Sequence, residues 1–308
     1  MHVFCTLYEG DYHYGVAALL NSLVQSGFTG KFVIGHRGPQ PPWMKQLKTD
    51  AAGRSYLGEI EVVCEAINTP WLLAHVKPRF MLDIFDRLVP AAMTVTYADP
   101  DIVLHAPWSF FESWMSHGVI LCEDCCFPTI AHNHYLRKCW TEFIENSLTE
   151  KTQTPVGRYY NSGFVGATRE QHGFVELWRR ALEALPSAGV PLETFKPGTR
   201  FDPFFGTDQD ALNMAVMIQP DAISTLGTEG MGFTAGMAVM WHAVDSPKPW
   251  RCHYLRQLLI TGKRVSTSHR EFWRHAAGPV KAWTPWRLRG KRLTLFVTIV
   301  LSRFYHSA

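Results

Sequence analysis

Asp99-Pro100-Asp101 closes the apolar run Met93-Thr94-Val95-Thr96-Tyr97-Ala98 and is followed by Ile102-Val103-Leu104. The run reads as a buried strand. Two carboxylates at i and i+2, where such a strand opens into a turn, are too costly to bury unpaired. They require something positive. A divalent metal carrying a diphosphate meets that requirement, because hard cations take carboxylate oxygens and keep positions for phosphate. A solvated turn answers equally well to the pair alone, since Asp and Pro are common turn residues. Lys77 and Arg79 stand just ahead of a helical pattern at Phe80. Their charges either reach a phosphate or sugar at the same edge or are simply solvated.

Three later segments change the balance. They are Arg158-Tyr159-Tyr160-Asn161-Ser162-Gly163-Phe164-Val165-Gly166, Gly206-Thr207-Asp208-Gln209-Asp210-Ala211-Leu212-Asn213, and Trp241-His242-Ala243-Val244-Asp245-Ser246-Pro247-Lys248-Pro249-Trp250. In this order, after the Asp-Pro-Asp turn, they resemble the retaining GT-A glycosyltransferases of family 8, the glycogenin and bacterial lipopolysaccharide galactosyltransferase type. That pattern has a D-x-D after a strand, an N-S-G strand start, a D-Q-D-x-L-N helix start and an H-x-x-G-x-x-K-P-W loop. The joint match is more specific than any one piece, and it runs over residues 1–250. Asp245 stands where the family pattern has Gly. Gly is used where backbone approaches closely or takes positive φ, and Asp tolerates that conformation better than most residues.

The resemblance implies a hexosyltransferase that moves a sugar from a nucleotide-diphosphate donor, UDP-glucose or UDP-galactose, with retention. Asp99, Asp101 and His242 would ligate Mn²⁺ or Mg²⁺; mixed oxygen and imidazole ligation suits Mn²⁺. Lys248 would set a point charge on the diphosphate. The nucleoside would lie by Leu7, Tyr8, Glu9 and Tyr12, the last three residues ahead of Gly15. Asn161, Ser162 and Gly163 would fix sugar hydroxyls. Asp208 and Gln209 would line the sugar face opposite the leaving group. Gln209 is a poor nucleophile, so front-face substitution is implied, with the leaving phosphate helping to deprotonate the acceptor. Taken singly, Asp208 also reads as a helix cap, and Gln209 and Asp210 as a solvated helix face.

The elements that must position these residues alternate. His2–Leu7, Lys31–Ile34, Ile60–Val63, Met93–Tyr97, Val119–Leu121 and Phe164–Ala167 read as strands. Val16–Leu23, Pro42–Leu47, Phe80–Leu88, Tyr135–Asn146 and Gln171–Leu185 read as helices, and Thr207 or Asp208 caps another. The alternation predicts an α/β fold with a doubly wound, mostly parallel sheet, as the GT-A resemblance also implies. Ligands in such sheets bind beyond the carboxyl ends of the strands. The first strand's exit and the two aspartates then share one edge. Residues 186–206 read as loop, and the Gly-rich stretch 225–238 as a flexible loop or a place of close backbone approach.

With 308 residues, 46% hydrophobic and 19% charged, the chain is long and apolar enough for a real core, which excludes a disordered class. Seven cysteines, an odd number, and a Met1–Cys5 start that already reads as strand predict a reduced, cytoplasmic setting. Cys122, Cys125 and Cys126 with His132 and His134 fit no common zinc spacing and are expected to be plain thiols.

Charge is distributed unevenly. Residues 251–308 hold 12 Lys and Arg against Glu271 alone, net +11, which leaves 18 basic and 26 acidic residues in the rest, net −8. The expected organisation is a catalytic domain over 1–250 and a basic, Trp-containing helical tail over 251–308. Arg287, Arg289, Lys291 and Arg292 precede the nine-residue apolar run Leu293–Leu301, too short to span a bilayer. Residues 281–308 fit a peripheral anchor on an anionic membrane or a helix packed on the body or a second subunit. No nucleic-acid reader motif accompanies the charge. The acceptor, a saccharide, a lipid-linked sugar or a protein, has no portable code. A nucleotidyltransferase would carry a Gly-rich basic loop where Tyr8-Glu9-Gly10-Asp11-Tyr12 stands. A nucleotide-sugar-binding or membrane-scaffold protein with a degenerate site is the alternative from another class.

Overall fold

The computed structural model describes residues 1–153 and 157–304. Eleven strands occur among them: β1 (His2–Glu9), β2 (Gly30–Arg37), β3 (Lys48–Thr49), β4 (Ser55–Leu57), β5 (Ile60–Ala66), β6 (Thr94–Ala98), β7 (Ile102–Leu104), β8 (Val119–Cys122), β9 (Phe164–Thr168), β10 (Ile223–Leu226) and β11 (Met240–His242). Nine form one sheet in the order β10-β8-β9-β6-β1-β2-β5-β4-β3. The central run β6-β1-β2-β5 is parallel, as is β10-β8, while β9 runs antiparallel to both its neighbours and β3-β4-β5 closes the edge as an antiparallel meander. A continuous apolar run suits a strand covered on both faces. In β1, Val3, Cys5 and Leu7 enter one core while Phe4 and Tyr8 enter the other, as the pleat demands.

Helices cover both faces. On the side of Val3 lie α2 (Lys77–Asp83), α4 (Tyr135–Phe143), α5 (His172–Ala184) and α6 (Thr207–Ile218). On the side of Phe4 lie α1 (His13–Ser26) and α3 (Trp108–Met115), the latter burying Trp108, Phe111, Trp114 and Met115 at helical spacing. Three expected helices differ from the fold. Pro42–Gln46 is a 3₁₀ turn, because two prolines precede Trp43. The pattern at Phe80–Leu88 is α-helical only to Asp83 and widens into a π turn over Ile84–Leu88. Tyr135–Asn146 behaves likewise, with a π turn over Ile144–Leu148. The N-cap of α6 is Gly206 rather than Thr207 or Asp208: the Thr207 hydroxyl donates back to the Phe204 carbonyl, and Asp208 is engaged by Lys77 and Ser162.

Two features fix the geometry of the aspartate turn. After β6 the chain turns at Asp99–Asp101 into β7, which pairs antiparallel with β11, setting His242 opposite Ile102. The Ala243 amide donates to the Asp101 carbonyl at 3.0 Å. Behind the turn, a Cβ on Gly15 of α1 would lie 2.1 Å from the Pro100 carbonyl oxygen, so glycine lets the helix seat against it.

The basic C-terminal segment is built into the fold. After Trp250 come α7 (Tyr254–Thr261), α8 (Thr267–His275) and α9 (Pro285–Leu301). Trp250, Tyr254, Phe272, Trp273 and Trp283 form a core with Ala18 of α1 and Val103 of β7. The buried Asn21 amide donates to the His275 and Val280 carbonyls and accepts from the Val280 amide, each at 2.9 Å. Among the described residues, no helix is long and apolar enough to cross a membrane.

Candidate active site

The carboxyl ends of β1 and β6 open into a cleft of about 330 Å³ lined by Leu7, Tyr8, Glu9, Tyr12, Lys77, Asp99, Asp101 and Lys248. The residues expected from the first strand, the aspartate turn and the Lys-Pro-Trp loop therefore come together. Tyr97, Leu72 and Phe195 also line the cleft. Tyr8 is buried on its ring, stacked on His36, and donates its hydroxyl to the Pro39 carbonyl at 2.7 Å. Tyr12 meets the edge of Trp250 at 5.0 Å between centroids and lies under the Arg251 guanidinium. Arg79 is set apart. Two positions beyond Lys77 on α2, it points the other way, exposed, with its guanidinium over Trp71.

Asp99, Asp101 and His242 offer ligand atoms that all lie within 4.8 Å of one another. His242 Nε2 is 3.3 Å from Asp101 Oδ1, and the Lys248 ammonium donates to Asp101 Oδ2 at 2.5 Å. Tyr97 donates to Asp99 Oδ1 at 2.8 Å. The donor set fits a hard or borderline divalent cation: two carboxylates and one imidazole. The space fits too. A Cβ on Gly163 would lie 2.7 Å from Asn161 Oδ1, 2.8 Å from His242 Cε1 and 2.9 Å from Asp99 Oδ2, so the bare glycine keeps this room open. His242 Nδ1 is buried with no hydrogen-bond partner.

A second carboxylate cluster lies beyond Lys77, which is buried. Its ammonium donates to Asp208 Oδ2 at 2.9 Å and stands 3.2 Å from Asp99 Oδ1, bridging the two groups. Ser162 Oγ donates to Asp208 Oδ2 at 2.7 Å, and the Ser162 amide donates to Gln209 Oε1 at 3.1 Å. The Asn161 amide group donates to Asp124 Oδ2 at 2.8 Å, and the Gly163 amide donates back to Asn161 Oδ1. The N-S-G and D-Q-D segments are thus one hydrogen-bonded unit.

Charges are balanced locally. Burial pushes the Asp101 carboxyl up, but His242 and Lys248 outweigh it and hold it well below the usual carboxylate range. Burial likewise opposes ionised Asp208, and Lys77 with Ser162 prevails. Burial pulls Lys77 down, and the carboxylates of Asp208 and Asp99 more than restore it. Asp210 is the exception. Burial raises it to about 7, against the Tyr159 hydroxyl that donates to it at 2.5 Å. The solvated face expected of Asp210 is absent, because its side of α6 packs under Tyr159.

Sequence reasoning gave no role of their own to Asp124, Tyr159 and Asn213, although the last two lie within its motif segments. Asn213 clamps both the amide and the carbonyl of Tyr160 at 2.8 Å. Thr207, Asp210 and Asn213 recur every third residue on one buried face of α6, the signal that identifies them. Next to Gln209 lies a second, largely apolar hollow of about 180 Å³ walled by Phe127, Trp140, Tyr159 and Asp210. Asp245 pairs with Lys263 at 3.2 Å, outside the cleft. Cys125 and Cys126 are exposed beside Asp124, but that carboxylate already accepts from the Cys126 and Phe127 amides and from Asn161. His134 caps α4.

No family model matches the sequence, and no curated protein matches it. Among the solved structures to which the chain is similar are the following glycosyltransferases. The bifunctional WbbM, in its apo form, aligns at TM-score 0.55 and 13% identity over 94% of this chain and 51% of that one. GlyE of Streptococcus pneumoniae TIGR4 aligns at 0.51 and 13% over 98% and 64%. The galactosyltransferase LgtC, solved with donor and acceptor sugar analogues, aligns at 0.53 and 12% over 94% and 99%. The chain spans about half the length of WbbM and under two thirds of GlyE. What is shared at this identity is the fold: the α/β, GT-A type arrangement of mostly parallel strands with flanking helices.

Proposed function

We propose that this chain is a metal-dependent glycosyltransferase that moves a hexose from a nucleotide-diphosphate sugar, UDP-glucose or UDP-galactose, to an acceptor with retention. The observation that carries the reading is the convergence of Asp99, Asp101 and His242 on one point of the β1–β6 edge, with Lys248 and Lys77 beside them. Asp99, Asp101 and His242 would hold Mn²⁺ or Mg²⁺. When bound, the ion supplies Lewis-acid neutralisation of the diphosphate leaving group.

The chain's own residues do the rest. Lys248 exchanges Asp101 for a phosphate oxygen. Tyr12, backed by Trp250, offers a face to the base, with Leu7 and Tyr8 as the floor. Asp208, fixed by Lys77 and Ser162, accepts from sugar hydroxyls, and Asn161 does the same from its place on Asp124. Gln209 presents a neutral amide to the anomeric face, which supports front-face substitution over a carboxylate nucleophile. The hollow beside Gln209 suits the acceptor, whether saccharide, lipid-linked sugar or protein. Residues 281–308, with their basic excess, support work at the inner face of an anionic membrane, in the cytoplasm.

The test is a panel of UDP- and GDP-sugars with release of nucleotide as readout, with and without Mn²⁺. The reading expects Mn²⁺-dependent release from a UDP-hexose. Tight nucleotide binding with no turnover of any donor would leave a binding protein instead.

A further inference from the structure

α9 presents distinct faces. Leu295 and Thr298 are its buried residues. Trp286, Leu293, Val297 and Phe304, spaced seven, four and seven residues apart through α9 and the turn after it, form one solvent-facing stripe, exposed by 79, 64, 36 and 78%. Arg289, Arg292 and Arg303 run along one border of the stripe. Along the other border, Arg287, Gly290 and Lys291 line a cleft of about 470 Å³ between α9 and the body. Its aromatic wall is Tyr14 stacked on Trp283, 4.6 Å between centroids at 19°.

Three residues of this cleft, Arg287, Gly290 and Lys291, are not accounted for by charge pairing or close packing. Among the described residues neither Arg287 nor Lys291 takes part in an ion pair, and the only acceptor for the half-buried Lys291 ammonium is the Cys252 carbonyl, at 2.9 Å. Gly290 disfavours a helix interior more than any residue but proline. A Cβ there would meet nothing within 4 Å, so packing does not require glycine, and its bareness leaves the cleft mouth open.

We infer that this cleft is a binding site for the phosphate of an anionic phospholipid headgroup, held while the apolar stripe of α9 enters the lipid surface. An Arg fork and an ammonium one turn apart suit a phosphodiester. Paired aromatic rings suit the glycerol and the interface. Basic residues on both borders of an apolar stripe match an interfacial helix. A second copy is disfavoured as the occupant, because it would bring two surfaces of net +11 together. The inference rests on the membrane reading of residues 281–308, and it is independent of the transfer chemistry.

Full-length chain is titrated with phosphatidylcholine vesicles with and without phosphatidylglycerol. Binding to the anionic vesicles, weakened by salt, is expected; equal binding to both kinds, or to neither, overturns the proposal. Gly290→Gln keeps every charge, favours the helix and fills the mouth, and is expected to lose about tenfold in affinity with no loss of melting temperature. Arg287→Ala with Lys291→Ala is expected to lose at least tenfold more than Arg289→Ala with Arg303→Ala, which removes the same charge outside the cleft. Equal losses from the two pairs, or a Gly290→Gln chain within twofold of wild type, reduce the effect to general charge and contradict the site. If sn-glycerol 3-phosphate fills the cleft as tightly as vesicle lipid, the ligand is a free phosphate ester and the lipid assignment fails. A dimer that dissolves in Leu293→Ser with Phe304→Ser would put a second copy on the stripe and also overturn it. Mn²⁺-dependent UDP binding is read in parallel. A chain that binds vesicles but not UDP fails as a glycosyltransferase while the headgroup site stands.

Discussion

Three residues set the terms of the site. Gly163 is the first, because any side chain there meets Asn161, His242 and Asp99 at once. Gly163→Ala is expected to cost about 1–3 kcal/mol of stability by overpacking and to weaken Mn²⁺ binding at least tenfold, measured by calorimetry. Asp210 is the second. Its carboxyl is raised by burial to about 7 in the folded chain, so the folded state holds a proton that the unfolded state has released. The stability from this proton is complete below the unfolded value near 4 and is lost as pH rises through about 7. Asp210→Asn should therefore gain on wild type as pH goes from 5 to 8, by roughly 3 kcal/mol at most. Parallel melting curves at the two pH values would contradict a buried protonated Asp210. Gln209 is the third. Gln209→Ala should leave UDP affinity near wild type and lower transfer on the order of 100-fold, the pattern of an interaction made in the transition state.

Most of these residues were legible because they sit at fixed spacings in short segments: Asp99 with Asp101, His242 with Lys248, Asp208 with Gln209. Asp124 and Tyr159 were not, because each acts through a residue that only the fold brings near: Asn161 for one and Asp210 for the other. Arg79 illustrates the limit of reading charge without a helix phase. Two residues along α2 turn a side chain by more than half a revolution, so Lys77 faces the carboxylates and Arg79 lies over Trp71.

At the scale of elements, the parallel centre of the sheet was legible because buried parallel strands are continuous apolar runs. The antiparallel placement of β9 was not, since strand direction leaves no mark on composition. The short strands β3 and β4 are exposed and half-buried respectively, and only two and three residues long. β7 and β11 are three residues each, yet they bring His242 to Asp101 across 140 positions of sequence. The seat of α1 on the aspartate turn is the most demanding contact between elements. Gly15→Ala would drive a methyl into the Pro100 carbonyl. It is expected to lower thermal stability by at least 1 kcal/mol and to weaken Mn²⁺-dependent UDP binding, although Gly15 touches neither ligand.

At the scale of the whole molecule, the negative body and the positive tail share a core. Trp273 and Trp283 are buried with Trp250, which also meets the ring of Tyr12 in the cleft. A chain ending at Gly278 would lose Trp283 from that core and Val280 from the core on the Phe4 side of the sheet, with a cost of about 2–5 kcal/mol. A chain ending at Thr284 keeps both and removes only α9. It is expected to melt within a few degrees of the full chain and to bind UDP as well, with vesicle binding lost. The proposed transfer chemistry, by contrast, requires that Asp99, Asp101 and His242 form one metal and nucleotide site. Calorimetric titration of UDP into wild type and Asp101→Ala, each with and without Mn²⁺, tests that most directly. The account predicts binding by wild type that requires Mn²⁺ and none by Asp101→Ala in either condition. Equal UDP affinity in the two proteins, or in wild type with and without the metal, would contradict it.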